Sequence, residues 1–496
     1  MARGSRRWGI LGVLCLCVWI LVMDNTVLNL AVPVLMGDLG AGPDDVQWII
    51  NAYALAFAGM LLTSGSLSDR YGRRRFLILG LVVFGGASLV ASLSAEPWHL
   101  IAARAFMGLG GAMLMPSTLS ILVNVFDAGE RRKAFAAWSA AAMMGLIVGP
   151  LVGGFVLEHA PWGMIFLLNL PLAGLVIAVA VRLVPESKGP ARRLDPVGVL
   201  SSALGMTALI YVVISLPREG WAAPRSLVAA LLAVASLSAF IWWERRTDHP
   251  MLPLSLFRDR RFSGASLTIV LVVFGSGALL LVLAQYLQFV RGISPVAAGL
   301  DLLPYVVASV LGNVASGALG KRISNQSLIA AGFAGAAAGF VLLAFIDSGA
   351  DGGLLPAGLV IMGVGAGLAS PAAYTLLMGV VPEEHAGVGS ALNDTVQQLG
   401  MALSVAVLGS VLAWKYSSSM PAGAPAAARE SIAGALDTGD ATLVAAAKSA
   451  FLSGMSLTLV IGAACCVVAM ISAMSVLRSS SAVPMPDPET GAVRAP

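Results

Sequence analysis

The chain alternates between long apolar runs and short breaks that are rich in charged residues, glycine or proline. About 20 consecutive apolar residues are enough for a helix to cross a hydrocarbon core roughly 30 Å thick. Runs of that length recur along the whole chain, so the pattern predicts an all-α integral membrane protein. About fourteen spans are predicted, near residues 9–35, 46–67, 76–95, 99–125, 134–157, 163–184, 196–216, 225–243, 262–289, 297–319, 325–346, 353–378, 385–413 and 451–477.

The composition supports this assignment, because 58% of the residues are hydrophobic and only 11% are charged. An average soluble domain carries roughly 25% charged residues. The first eight residues include three arginines ahead of an apolar run, as at the start of a secretory signal. That run continues past Asp24 to Leu35, far beyond the apolar core of a signal. We therefore predict a retained first span.

The basic residues predict the orientation, because lysine and arginine are retained on the cytoplasmic side of short loops. With the N-terminus inside, only six fall outside: Arg218, Arg225, Arg291, Lys415, Arg429 and Lys448. This predicts a multi-pass protein of the cytoplasmic membrane with both termini in the cytoplasm. The other basic residues are spread over short loops, so the net charge of +4 does not indicate a nucleic-acid partner.

A faint internal repeat predicts the domain organisation. The segments 65–70 and 317–322 both close an apolar run with small residues and arginine, and they begin 252 residues apart. Carriers are commonly built from repeated bundles with a binding site between them. We predict an N-terminal six-helix bundle over residues 1–190 and a C-terminal six-helix bundle over 251–480. Two inserted transmembrane helices lie in 191–250, and residues 481–496 form a disordered cytoplasmic tail.

Three charged residues fall well inside predicted spans, away from their ends, namely Asp24, Arg104 and Asp394. A charge at the centre of a membrane helix costs about 2.5 to 3.5 kcal/mol on insertion scales, so these side chains should face the protein interior. A structural ion pair or a neutral, hydrogen-bonded acid would satisfy that requirement. The functional alternative is proton coupling, because access of water or an arriving cation changes whether a buried carboxyl group holds its proton. Helix depth places Asp24 and Arg104 close enough to interact.

Polar residues surround the third of these charges. Asn393, Thr395, Gln397 and Gln398 lie within one or two turns of Asp394. They line a substrate cavity or satisfy hydrogen bonds between helices, and the sequence does not separate these roles.

The fifth predicted span is rich in small residues: Gly145, Gly149, Pro150, Gly153 and Gly154. Their spacing permits close contact with a neighbouring helix, and the proline removes one backbone donor. A gating hinge and a tight static crossing both fit this pattern. The loop at 69–75 also has two interpretations. Its arginines act as a topology signal, while Asp69 could pair with one of them or cap a neighbouring helix.

These motifs resemble the major facilitator superfamily, specifically the fourteen-span drug:proton antiporters of the QacA/EmrB type. The string 65–75 is similar to the superfamily's cytoplasmic signature between spans 2 and 3. Arg104 resembles the family's span-4 arginine, and 145–154 resembles the antiporter signature of span 5. The string 24–29 is similar to an acidic span-1 motif. The resemblance implies gating roles for Gly65, Asp69, Arg70, Gly72, Arg73 and the span-5 residues, proton coupling by Asp24, Arg104 and Asp394, and a cavity position for Asn29.

The resemblance implies a major facilitator fold and proton-coupled efflux of amphipathic drugs, antibiotics or toxic compounds by alternating access. Such a transporter binds protons and a small molecule, needs no metal or other cofactor and works as a monomer. Coupled uptake or export of one metabolite is the alternative transport function. A membrane-embedded enzyme or scaffold is disfavoured, because the chain has no hydrolase or zinc-protease motif and no nucleotide-binding loop.

Overall fold

The computed structural model describes residues 3–189, 195–219, 223–247, 250–252, 254–320, 322–346 and 353–478. The predicted tail at 481–496 lies outside these ranges, as do Arg192, Arg193 and Lys321 among the basic residues predicted to be cytoplasmic. The described residues are almost entirely helical.

Six long helices make up the first part of the chain. They are α1 (Arg3–Asp38), α2 (Pro43–Tyr71), α3 (Arg73–Ser92), α4 (Pro97–Val125), α5 (Ala128–His159) and α6 (Met164–Leu183). Proline begins α2 and α4, where its missing N–H would have no helical partner in any case. Gly72, with φ of 119°, separates α2 from α3, and this left-handed region favours glycine.

A helical hairpin and six further long helices follow. The hairpin consists of α7 (Pro196–Glu219) and α8 (Pro224–Glu244). The others are α9 (Arg260–Gln285), α10 (Leu303–Leu319), α11 (Asn325–Ala344), α12 (Leu354–Val380), α13 (Ala386–Ser419) and α14 (Ala441–Arg478). Shorter helical segments lie at Leu254–Arg258, Tyr286–Val290, Pro295–Asp301, Glu383–His385, Ala426–Glu430 and Ile432–Leu436.

Twelve helices in the described part of the chain are long and apolar enough to cross a membrane. They coincide with twelve of the predicted spans. The helices α9 and α13 occupy the positions of the other two, and each contains side chains outside the described part. The all-helical membrane fold is therefore confirmed, whereas the count of fourteen stays a prediction.

The same pattern of helix pairs recurs in the two parts of the chain. In the first, α2 and α3 both pack on α4, and α1 packs on α5; in the second, α10 and α11 both pack on α12, and α9 packs on α13. Contacts between the two parts follow the same repeat. The helix α2 packs on α13, and the equivalent helices α10 and α5 pack on each other. The α7–α8 hairpin lies outside this pattern, and α7 packs on α2 and α13. The domain boundaries remain predictions.

The glycines of α5 form a close crossing with α1. A Cβ atom on Gly145 would lie 3.0 Å from Val22 Cβ, and one on Gly153 would lie 2.7 Å from Val27 Cγ1. On Gly149 it would overlap the Thr26 hydroxyl and lie 3.1 Å from Thr26 Cβ. Three successive turns of α5 therefore need glycine for the packing observed.

The neighbouring small residues of α5 behave differently. The helix continues through Pro150 without a break. No atom of the described residues lies within 4 Å of a Cβ on Gly154. The structure thus places the tight crossing at three of the predicted gating glycines, while a hinge role for this segment stays a prediction.

We predict that Gly149→Ala destabilises the protein by about 1–3 kcal/mol, the usual cost of overpacking a core. Thr26 cannot rotate away freely, because its hydroxyl donates to the carbonyl oxygens of Val22 and Met23 at 3.1 and 2.9 Å. Thermal unfolding of the purified protein measures the effect. Gly154→Ala on the same helix is the matched control and should leave the unfolding temperature unchanged or slightly raised. Equal behaviour of the two variants would contradict the packing argument.

Candidate functional site

Asp24 of α1 and Arg104 of α4 form a buried ion pair, which confirms the predicted proximity. Arg104 Nη1 donates to Asp24 Oδ2 at 2.6 Å, and both side chains are almost completely buried. The guanidinium also donates to the Asn25 amide oxygen at 3.2 Å and to the Ile49 carbonyl oxygen at 3.3 Å. It lies 4.4 Å from the centre of the Tyr53 ring, so the cation meets an aromatic face as well as a carboxylate.

A fourth helix completes this cluster through a residue that the sequence analysis did not identify. Asn169 of α6 donates to Asp24 Oδ1 at 2.8 Å and approaches the Ser88 hydroxyl of α3 at 3.3 Å. Both carboxylate oxygens of Asp24 are therefore hydrogen-bonded. The only sequence signal for Asn169 was a polar residue inside an apolar span, without any indication of its partner.

Asp394 of α13 has a different environment. Its Oδ1 accepts from the Asn393 amide at 3.1 Å and from Gln397 at 3.5 Å. Its Oδ2 is buried and has no hydrogen-bond partner within the described residues. No salt bridge to Asp394 occurs in that part of the chain. Two buried carboxyl groups thus differ sharply, since one faces a guanidinium and the other faces only amides.

An aromatic cluster with members from both parts of the chain lies beside the Asp394 amides. Tyr374 of α12 donates to Gln397 Oε1 at 3.1 Å. Its ring meets those of Phe135 and Trp138 of α5 edge to face, with centroids 6.3 and 6.0 Å apart. Trp138 in turn donates to Thr118 at 3.2 Å. This arrangement joins α5 to α12 and offers aromatic edges and amides next to one buried carboxyl group.

The remaining predicted cavity residues are placed less completely. Asn393 is fully buried, and its amide oxygen lacks a partner within the described residues. Gln398 is half-buried. The side chain of Asn29 lies outside the described part of the chain. Of the four predicted cavity residues, the structure brings Asn393 and Gln397 to Asp394.

At the C-terminal end of α2, Asp69 caps the first turn of α13. Its carboxylate accepts from the backbone N–H groups of Gly387 at 2.9 Å and Val388 at 3.0 Å. Arg73 also donates to it, at 2.8 Å. The N-terminus of a helix carries free N–H groups and a partial positive charge, so it is a favourable site for a carboxylate. The acid of the predicted signature therefore joins the two parts of the chain.

Further contacts close the same end of the molecule. Arg73 is buried and donates to the Glu383 carbonyl oxygen at 2.8 Å. Arg131 pairs with the Glu383 carboxylate, and Arg132 donates to the Asn325 side chain. A Cβ on Gly65 would overlap Ala391 and lie 2.6 Å from the Gly387 carbonyl oxygen. The two parts of the chain are thus in direct contact at the end predicted to be cytoplasmic.

Two residues of the predicted signature face elsewhere. Arg70 is half-buried, and its guanidinium lies over the Tyr71 ring, 5.3 Å from the centre. Gly72 lies against Glu186, because a Cβ there would be 2.6 Å from a Glu186 carboxylate oxygen. That carboxylate accepts the backbone N–H of Arg74 at 3.1 Å. The structure therefore brings Gly65, Asp69 and Arg73 to the contact between the parts, but not Arg70.

One pattern of helix pairs is repeated in the two parts of this helical membrane chain, and buried charges lie between the helices. This is the architecture of a secondary transporter. Residues 14–405 match the Major Facilitator Superfamily, and the chain belongs to that family. Family membership indicates a transporter rather than an enzyme. Members of the family bind small molecules and generally work as monomers.

Several named proteins are similar to this chain. It is 34% identical to the "Multidrug efflux pump LfrA" of Mycolicibacterium smegmatis, over 92% of this chain and 94% of the relative. It is 34% identical to the "Methyl viologen resistance protein SmvA" of Salmonella typhimurium, over 84% and 85%. It is also 35% identical to the "Probable actinorhodin transporter" of Streptomyces coelicolor, over 82% and 72%. These relatives support the resemblance to drug-efflux proteins, while the fourteen-span type stays a prediction.

Solved structures confirm the major facilitator fold. The human organic anion transporter MFSD10 superposes with a TM-score of 0.63 at 15% identity, covering 94% of this chain and 99% of that chain. The proton:xylose symporter XylE gives a TM-score of 0.62 at 17% identity, covering 95% of each chain. At such low identities the likeness concerns the fold alone.

We predict that Arg104→Gln destabilises the protein by about 3–5 kcal/mol, because it leaves the Asp24 charge buried without its partner. The double variant with Asp24→Asn should recover part of this loss, since it removes both charges. Unfolding of wild type, both single variants and the double variant gives the coupling energy. Strictly additive effects would contradict a direct interaction between the two side chains.

We also predict that Asp69→Asn opens the end of the molecule at which Asp69 caps α13. The neutral amide cannot offer two acceptor oxygens to the N–H groups of α13. Spin labels at Gly129→Cys and Arg322→Cys, which lie on the two parts of the chain, should then show a larger population of long distances. Asp38→Asn, an exposed acid, is the control. An unchanged distance distribution in Asp69→Asn would show that this contact does not hold the closed end.

Proposed function

We propose that the protein is a proton-coupled exporter of small amphipathic compounds that works by alternating access across the cytoplasmic membrane. The observation that carries this proposal is the environment of Asp394. Its carboxyl group is buried, and one oxygen has no partner within the described residues. The other oxygen meets two amides, and aromatic rings pack beside those amides. A site of this composition suits an amphipathic molecule with a positive charge or a hydrogen-bond donor.

The physical basis of coupling is competition for that carboxyl group. An ionised carboxylate without a counterion is costly in a low-dielectric interior. A proton neutralises this carboxylate, and an arriving cationic substrate compensates its charge in the same way, so the two compete for it. Substrate binding therefore releases a proton, and proton entry releases the substrate. One proton moving down 100 mV supplies about 2.3 kcal/mol, equivalent to a concentration ratio of roughly fifty.

Asp24 and Arg104 have a second role in this proposal. Arg104 compensates the Asp24 charge in the present conformation. Protonation of Asp24 would leave the guanidinium with the Asn25 and Ile49 oxygens and the Tyr53 ring, which weakens the link between α1 and α4. Since α1 also crosses α5 at the glycines, a change at this pair reaches the helix that carries Phe135 and Trp138.

The conformation supports alternating access. The end that contains Asp69 is closed by contacts between the two parts of the chain, and the charge distribution predicts that this end is cytoplasmic. Export requires this end to open for substrate entry, so Asp69, Arg73 and Gly65 would form the contact that separates. Gly145, Gly149 and Gly153 would keep α1 and α5 together during that movement.

The direction of transport is supported by the relatives. The names of three similar proteins describe a multidrug efflux pump, resistance to methyl viologen and transport of actinorhodin. A "Tetracenomycin C resistance and export protein" from Streptomyces glaucescens is 28% identical over 97% of this chain. These compounds differ widely in chemistry, which fits a site made of aromatic edges and amides. Their names favour export over the uptake alternative.

We predict that Asp394→Asn abolishes proton-driven transport of the fluorescent cation ethidium into inverted membrane vesicles. The amide cannot exchange a proton at this position, so accumulation on energising the vesicles should fall to the level of vesicles without the protein. Asp24→Asn should reduce the rate as well. Asp301→Asn is the control, because Asp301 is an exposed acid in the same part of the chain.

The wild-type signal must collapse when an uncoupler is added, and its direction separates export from uptake. If Asp394→Asn accumulates ethidium as fast as wild type, the coupling role of Asp394 is wrong. If wild-type accumulation survives the uncoupler, proton coupling is wrong.

A further inference from the structure

A polar stripe runs along the half of α2 that lies away from Asp69. Asp44, Gln47, Trp48 and Asn51 recur every three or four residues, so they share one face of the helix. They reach about 10 Å along the helix axis from its first turn. This face is covered by the α7–α8 hairpin, which lies outside the repeated helix pairing. The residues of this stripe therefore take no part in the contacts described so far.

The geometry of the hairpin leaves a space over this stripe. Deeper in the molecule α7 touches α2 closely, because a Cβ on Gly59 would overlap the Thr207 hydroxyl. Leu55, Ala58 and Ile210 form a small apolar cluster above that contact. Towards the end of α2 that bears Asp44, the bulkier residues Trp48 and Tyr211 line a cavity of about 370 Å³ between the helices. This volume is in the range of small-molecule sites.

The walls of the cavity carry one aromatic pair and two opposite charges. The Trp48 and Tyr211 rings are stacked, with centroids 6.3 Å apart and planes inclined by 30°. Asp44 lies on α2 and Arg225 at the start of α8, and both line the cavity. Neither side chain has an ion pair or a hydrogen bond within the described residues. Gln47 and Asn51 add amide groups deeper in the cavity.

We propose that this cavity between α2 and the α7–α8 hairpin is a second ligand site, which binds an aromatic zwitterion. The ring of the ligand would pack against Trp48 and Tyr211, its cationic group would face Asp44, and its anionic group would face Arg225. An apolar lipid chain fits poorly, because it would cover two charges and two amides without replacing their hydration. In the proposed exporter, this site would hold the substrate on its way out of the protein. Only that role in export rests on the proposed function; the binding site itself does not.

The test measures binding of Nε-dansyl-lysine to the full-length purified protein in detergent, without any proton gradient. The dansyl group is a fluorescent aromatic ring whose emission rises in an apolar site, and the free amino and carboxylate groups form the zwitterion. The methyl ester is a matched cation, and the Nα-acetyl derivative is a matched anion. We expect the zwitterion to bind more tightly than either derivative.

Substitutions at the two exposed charged residues test the contribution of each charge separately. Asp44→Asn should weaken the zwitterion and the ester by about three- to fivefold and spare the acetyl derivative. Arg225→Gln should weaken the zwitterion and the acetyl derivative by a similar factor and spare the ester. Trp48→Leu should weaken all three ligands. Asp38→Asn and Arg429→Gln are matched controls for the two charges, because both residues are exposed and neither lines the cavity.

The proposal is overturned if the two charge variants bind all three ligands as the controls do. It is also overturned if Asp394→Asn abolishes binding, because the probe would then occupy the site described above. Thermal unfolding checks that each variant is folded. Failure of the proposed function has a different signature, namely full ethidium transport by Asp394→Asn, and it leaves this binding measurement readable.

Discussion

The cost of placing charge in a low-dielectric helical bundle governs this structure. Each buried charge must be compensated, and three acids show three solutions. Asp24 is paired with the Arg104 guanidinium, Asp69 is bound by the free N–H groups of α13 and by Arg73, and Asp394 is met only by amide groups within the described residues. The first two solutions are complete in this conformation. The third is not, because one oxygen of Asp394 has no partner within the described residues, and the proposed function assigns the exchange of a proton for substrate to this acid.

Close helix contact is the second requirement, and it follows from the first. In a membrane, helices gain little from burying apolar side chains against each other, so packing and short polar contacts drive their association. Glycine on α5 allows α1 to approach, and that approach sets the position of Asp24. Gly65 on α2 likewise allows α13 to come near enough for Asp69 to reach its first turn. The small residues thus position the charged ones.

Much of the fold could be predicted from the sequence, because apolar length alone specifies a span. The proximity of Asp24 and Arg104 was also accessible, since helix rise fixes depth in a bilayer. Contacts that depend on how the helices pack could not be predicted. Nothing local indicated that Asn169 would reach Asp24, or that Phe135 and Trp138 would meet Tyr374 across more than 200 positions of the chain. The sequence likewise separated the α7–α8 hairpin from the repeat without indicating which helices it covers.

The capping of α13 by Asp69 has a consequence for the solvent. Two backbone N–H groups at the start of α13 are satisfied by a carboxylate that belongs to the other part of the chain. When that carboxylate withdraws, the N–H groups and the acid must each be hydrated, because free backbone donors are costly. Separation at this end therefore takes up water molecules. Osmolytes that are excluded from protein surfaces then favour the closed arrangement, so the availability of water on the side that this end faces shifts the balance between the two conformations.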